Sequence, residues 1–163
     1  MIIKNKKEIN TSELREKALK VIEEAINSVL PGVLIEKHLA YDSKKKILSV
    51  DHDEYDLSRG RIFVIGGGKA AGMMAEKIES LLGDDIKEGI VNCKSGECRA
   101  KKIKVVNAGH PIPNEEGLKG VKKMLTLKDK YSIDKNDLVV CLISGGGSSL
   151  MTCPVKELAL EDL

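Results

Sequence analysis

The sequence predicts an α/β protein, a three-layer Rossmann-like domain around a mainly parallel sheet whose set of strands is incomplete. Three observations lead there. The short apolar runs RIFVI, EGIVNC, KIKVVNAG and LVVCLI are separated by stretches of helical period, the alternation that builds a parallel sheet covered on both faces. Two of these runs pass directly into glycine clusters that open helices. The 163 residues are 42% apolar and 32% charged, enough for one real core.

Residues 1–60 read as an amino-terminal helix followed by an extended arm. NTSELREKALKVIEEAINSVLPG places Asn10 and Glu13 at the spacing of a capping pair. Leu14, Ala18, Val21, Ile22, Ala25, Ile26 and Val29 then recur at helical spacing and mark the expected inner face. Pro31-Gly32 is expected to end this helix. KKKILSVDHDEYDLS reads as a short strand pair or an extended arm. Its acidic run, Asp51, Asp53, Glu54 and Asp56 around His52, suits a solvated edge better than a metal site.

Residues 61–163 read as the Rossmann-like core, truncated. RIFVI is a buried strand. KAAGMMAEKIESLLG is a helix with Met73, Met74, Ile78, Leu81 and Leu82 inward, stopped by Gly83. EGIVNC and KIKVVNAG are two further strands. NEEGLKGVKKMLTLKDKY is a helix capped by Asn114 and weakened by Gly117 and Gly120, with Glu115 and Glu116 placed to suit the helix dipole. LVVCLI is the last strand, with Cys141 as a small buried thiol. After Pro154 the chain starts a new element without closing it, so it is expected to be the amino-terminal part of a longer protein.

Composition narrows the function classes. Lys and Arg number 27 against 25 Asp and Glu, a net charge of +2, and aromatics are 2%. Neither an electrostatic footprint for nucleic acid nor a base-stacking platform is present. No stretch approaches the roughly 20 apolar residues of a membrane span, and MIIKNKKEIN lacks the apolar region of a secretory signal. A cytoplasmic address and reduced cysteines are expected, and the spacing of Cys93 and Cys98 completes no metal set. The lack of Gln among many Lys, Glu and Ile resembles thermophile usage. An incomplete sheet would expose an apolar edge able to pair with another copy.

Three loops carry the chemistry. Gly66, Gly67, Gly68, Lys69, Ala70 and Ala71 satisfy G-x-G-x-x-A between strand and helix. The next strand ends in Cys93 and Lys94, with no carboxylate for a ribose, which disfavours NAD. A Walker A loop is absent, since Phe63 and Ala70 stand where its first glycine and hydroxyl belong. What remains is an anion site of backbone amides, helix terminus and the Lys69 ammonium, suited to phosphate or carboxylate. Ser144, Gly145, Gly146, Gly147 and Ser148, with Ser149, form a second donor-rich loop after a strand. Read as a nucleophile elbow it lacks the second flanking glycine. The third loop, Asn107 to Glu115, turns at Pro111 and Pro113 and holds His110 at a strand end, a place suited to a ligand contact.

In this order VIGGGKAAGMMAE, NAGHPIPNEEG and LISGGGSSLM resemble the class II glycerate kinases. Members of that family have often been labelled hydroxypyruvate reductase, and their carboxyl-terminal part is called the MOFRL domain. The likeness runs from the amino-terminal helix to Leu163. It implies phosphoryl transfer from ATP to D-glycerate, giving 2-phosphoglycerate, in a cleft between a Rossmann-like domain and a second α/β domain. Lys69 matches the lysine of the family's G-K-A motif and would be catalytic. Gly66, Gly67, Gly68, His110, Ser144, Gly145, Gly146, Gly147 and Ser148 would bind substrate or nucleotide. Mg2+ would arrive with ATP and need few protein ligands. An arginine thought to act with the lysine lies in the second domain, which these residues lack, so the chain alone is expected to be inactive. Two alternatives stand beside the kinase: a non-catalytic anion-binding or interaction domain, and a hydroxypyruvate reductase.

Overall fold

A computed structural model describes residues 2–94 and 98–162. Among the described residues, seven strands form two sheets. β1 (Leu39–Asp42), β2 (Ile47–Val50) and β3 (Asp53–Asp56) make a small antiparallel meander. β4 (Ile62–Gly67), β5 (Ile86–Cys93), β6 (Ile103–Asn107) and β7 (Leu138–Ile143) make the main sheet, all parallel, in the order β6-β5-β4-β7.

Helices cover both faces, because successive strand residues point to opposite sides. On one side α4 (Ala71–Leu82) packs Ala71, Ala75, Ile78 and Leu82 with Val64, Val91 and Leu142. The small residues at the start of that stripe let the helix lie close to the sheet. Leu48 of the meander and Ile35 of α3 (Pro31–His38) join the same cluster. On the other side α5 (Glu115–Tyr131) packs Met124 and Leu127 with Ile90 and the partly buried Ile65. Phe63 is fully buried there, its ring 5.3 Å from that of Tyr131.

The chain leaves β4 in one direction, through α4 to β5 and on to β6, then returns through α5 to β7 on the other side of β4. The strand order therefore reverses between β4 and β7. In open parallel sheets the crevice at the carboxyl ends of such a strand pair is where ligands bind.

Several expectations are corrected. Ser12, not Asn10, caps α2 (Glu13–Ser28): its backbone is extended and its hydroxyl accepts from the Arg15 amide. Asn10 instead follows the short α1 (Lys6–Ile9), to whose Lys6 carbonyl its amide donates. Pro31 opens α3 rather than merely ending α2, since a proline at the first helical position surrenders an amide that has no partner anyway. The arm is a three-stranded meander, with the acidic β3 exposed along its length on the edge.

The apolar stripe of α2 faces outward. Leu14, Val21 and Val29 are 78%, 69% and 63% exposed, and the helix's buried residue is Leu19, at the flank of the stripe beside Ile22 and Ile26. Among the described residues nothing covers the stripe, while Glu23, away from it, is held by Lys6. Met73 is half exposed, because the inward stripe of α4 runs through Ala71, Ala75, Ile78 and Leu82. Cys141 is exposed, because β7 has no neighbour on its outer side among the described residues. Gly117 and Gly120 are buried packing positions of α5. Gly120 lets the helix lie against Asn92 of β5, where a Cβ would stand 2.0 Å from Oδ1, and Gly117 lies against Ala108.

Candidate functional site

The loop after β4 is held by tight contacts to the strand beside it. Gly68 has φ of +145°, and a Cβ there would stand 2.1 Å from Ser144 Oγ. Only glycine combines that backbone with that approach. The Gly68 amide donates to the Asn92 carbonyl at 3.1 Å, and the Lys69 amide to the Gly145 carbonyl at 2.9 Å. The Ala70 amide donates to Ser144 Oγ at 3.0 Å. The amides of Gly68, Lys69 and Ala70 are thus engaged within the protein. What this loop leaves for an anion is the side chain of Lys69, which is exposed and makes no ion pair among the described residues.

The loop after β7 is arranged differently. Gly146 adopts φ of +85° and caps the short α6 (Gly147–Leu150). The amides from Gly145 to Ser149 find no acceptor among the described residues. They are free donors at a strand end, as in backbone nests that hold anions. Ser144 is not one of these donors: it accepts from the Ala70 amide, just before α4. Ser148 is exposed, and its carbonyl accepts from the Thr152 hydroxyl at 2.6 Å.

The loop after β6 starts at the far edge of the sheet yet reaches the same place. Asn114 Oδ1 accepts from the Gly109 amide at 2.8 Å and the Gly117 amide at 3.0 Å, which closes the loop onto α5. Ser149 Oγ donates to the Gly109 carbonyl at 3.0 Å and joins this loop to α6. His110 then lies against Gly146. A Cβ at position 146 would stand 2.9 Å from His110 Nε2 and 3.4 Å from Lys69 Cγ. Nδ1 of His110 is buried with no hydrogen-bond partner among the described residues.

The structure therefore brings Lys69, His110 and Gly145–Ser148 together at the strand-order reversal. It gives Gly66, Gly67, Gly68 and Ser144 the task of fixing the loops to one another. Two contributions had no signal in the spacing of motifs, the side chain of Asn92 and the second hydrogen bond of Asn114; Ser149, read within the donor-rich serine loop, ties that loop to the His110 loop. Asn92 carried one faint sign, an amide inside the apolar run GIVNC. Among the described residues no group of three or more His, Cys, Asp or Glu converges to hold a metal ion. No helix there is long and apolar enough to cross a membrane.

A family model described as "Domain of unknown function (DUF4147)" matches residues 17–163. The chain is 38% identical over 152 residues to the glycerate 2-kinase of Pyrococcus horikoshii, covering 93% of this chain and 33% of that protein. It is 30% identical over 152 residues to the D-glycerate 2-kinase of Thermotoga maritima, covering 92% and 32%. A crystal structure of a Pyrococcus horikoshii protein superposes with a TM-score of 0.79 at 35% identity, over 93% of this chain and 34% of that one. The chain thus spans about a third of the length of the relatives it matches.

Proposed function

The chain belongs to the DUF4147 family, and from that premise we propose that it is the amino-terminal part of a glycerate 2-kinase that transfers a phosphoryl group from ATP to D-glycerate. One observation supports this reading above the others. The Lys69 stem and the His110 ring flank Gly146 beside a row of free amides, where the strand order reverses.

In the reaction the 2-hydroxyl oxygen of glycerate attacks the γ-phosphorus, the bond from that phosphorus to the bridging oxygen breaks to release ADP, and the hydroxyl proton passes to water. Such transfer depends on positioning and charge neutralisation rather than covalent help from the protein. The Lys69 ammonium offsets charge on the transferred phosphoryl group or on the glycerate carboxylate. The amides of Gly145 to Ser148 hold the other anionic group. His110 orients the substrate hydroxyl or carboxylate through Nε2. Magnesium, if it enters with the nucleotide, would supply further neutralisation of the phosphates. The second domain, with its arginine, completes the site, and these residues alone are inactive.

The test is ATP-dependent phosphorylation of D-glycerate by this chain and by a chimera in which it replaces the matching third of the Thermotoga maritima enzyme. Activity in the folded chimera, lost with Lys69→Ala, is the expected result. A folded, inactive chimera with Lys69 intact would overturn the kinase reading and favour a non-catalytic anion-binding domain.

A further inference from the structure

We infer that Asn92 is the positioning residue that sets the three loops of the site in register, an assignment that rests on the reading of those loops as the binding site. Asn92 lies at the carboxyl end of β5 and is fully buried. It bonds to all three loop systems. Its backbone carbonyl accepts from the Gly68 amide at 3.1 Å, next to Lys69. Its side-chain Nδ2 donates to the Gly117 carbonyl at 2.7 Å, in the first turn of α5 that closes the His110 loop. The same Nδ2 donates to the Leu150 carbonyl at 2.8 Å, at the far end of α6 from the free amides.

Both partners of Nδ2 are carbonyls, so the amide orientation is set by the network. Asp would place a carboxylate against two carbonyls, and an apolar residue would leave both unpaired in the interior. The fold also makes room for this one side chain. A Cβ on Gly120 would stand 2.0 Å from Asn92 Oδ1 and 2.9 Å from Nδ2. Oδ1 has no hydrogen-bond partner among the described residues, which fits a side chain kept for its two donors. β5 lies between β6 and β4, next to the strands that feed two of the loops, and the Asn92 side chain reaches the third through Leu150 at the end of α6.

The experiment uses the 163-residue chain, isotope-labelled, as wild type, Asn92→Ala, the double variant Asn92→Ala/Gly120→Ala, and Ile78→Val as a core change away from the loops. In the double variant the new methyl group fills part of the space left by the amide and offsets the packing loss, while the two carbonyls stay unpaired. Without ligand, Asn92→Ala and the double variant are expected to shift the amide resonances of Lys69 and of Gly145–Ser149 and to speed their hydrogen exchange. Ile78→Val is expected to leave them in place. Titrated with inorganic phosphate and with ATP, the two Asn92 variants are expected to bind about tenfold more weakly, since loops no longer pre-positioned must be ordered on binding.

Unchanged loop amides in the folded double variant, or wild-type affinity there, would overturn the assignment. If the wild-type chain itself shows no response to phosphate or ATP, the binding-site reading falls. The ligand-free amides then still decide whether Asn92 sets the loops.

Discussion

The amide of Lys69 donates to the carbonyl of Gly145 across 2.9 Å, from the end of one glycine loop to the start of the other. With the Ala70 to Ser144 bond alongside, the loops after β4 and β7 form one hydrogen-bonded unit. The Lys69 side chain takes no part in holding it.

Lys69→Ala is therefore expected to separate function from stability. The backbone bond survives, and an exposed side chain without an ion pair contributes within about 0.5 kcal/mol to folding. Phosphate and ATP binding by the chain should fall at least tenfold. Urea unfolding beside a phosphate titration checks both halves.

Ser144→Ala is expected to act in the opposite sense. It removes the hydroxyl that accepts from the Ala70 amide and should destabilise the protein by about 1 kcal/mol, the usual net size of a lost hydrogen bond. The chemistry of the free amides is untouched. The unfolding midpoint should fall at unchanged slope.

Gly146→Ala is expected to injure both. The residue sits at φ of +85°, and the added carbon meets the His110 ring at 2.9 Å. Strain of about 1 kcal/mol from the backbone is joined by displacement of the ring. A shift in the His110 ring resonances, with weaker phosphate binding, is the expected observation.

Arg61 and Asp137 tie β4 to β7 at the end remote from the site. Arg61 Nη2 donates to Asp137 Oδ2 at 2.6 Å and Nε to Oδ1 at 2.9 Å, and the Asp137 side chain is almost wholly buried. The guanidinium holds the Asp137 carboxyl well below the usual carboxylate range, with the Asp134 and Arg61 amides adding to it. A group whose pKa is lowered on folding stabilises the protein above its unfolded value, near 4, and loses that contribution as pH falls toward its folded value. Asp137→Asn should be less stable than wild type by about 2 kcal/mol at pH 7. The gap should narrow steadily below about pH 4. Urea midpoints of the two proteins at pH 7, 4 and 3 test this.

The outward stripe of α2 makes a prediction contrary to the helical pattern. Leu19→Ala, at a buried position, should cost about 2 kcal/mol or more. Val21→Ser, on the stripe and 69% exposed, should cost less than about 0.5 kcal/mol. Equal losses in thermal unfolding would place the helix the other way round.

What the sequence by itself determined is what short-range physics controls. The four apolar runs became the four parallel strands, because β-branched residues between turn signals suit buried strands wherever they end up. Asn114 capped α5, since an Asx side chain reaches the amide three residues on without help from the rest of the fold. The positions of Lys69, His110 and the serine loop at strand ends were legible for the same reason. Periodicity also showed that α2 has an apolar stripe, but not which way it faces. That depends on what lies beside the helix, and here Leu19, at the flank of the stripe, makes the contact.

Only the tertiary structure decided what the loops do. Glycine clusters after two strands read alike as anion cradles. Strand order set β4 between β5 and β7, so the amides of Gly68, Lys69 and Ala70 are consumed by neighbours while those of Gly145 to Ser149 stay free. The same order put β5 beside β4 and β6, from where the Asn92 amide bonds to α5 and α6 and links all three loops. Hydrogen bonds between residues as far apart as 92 and 150 depend on which strands adjoin, a property of the assembled sheet that no local pattern encodes.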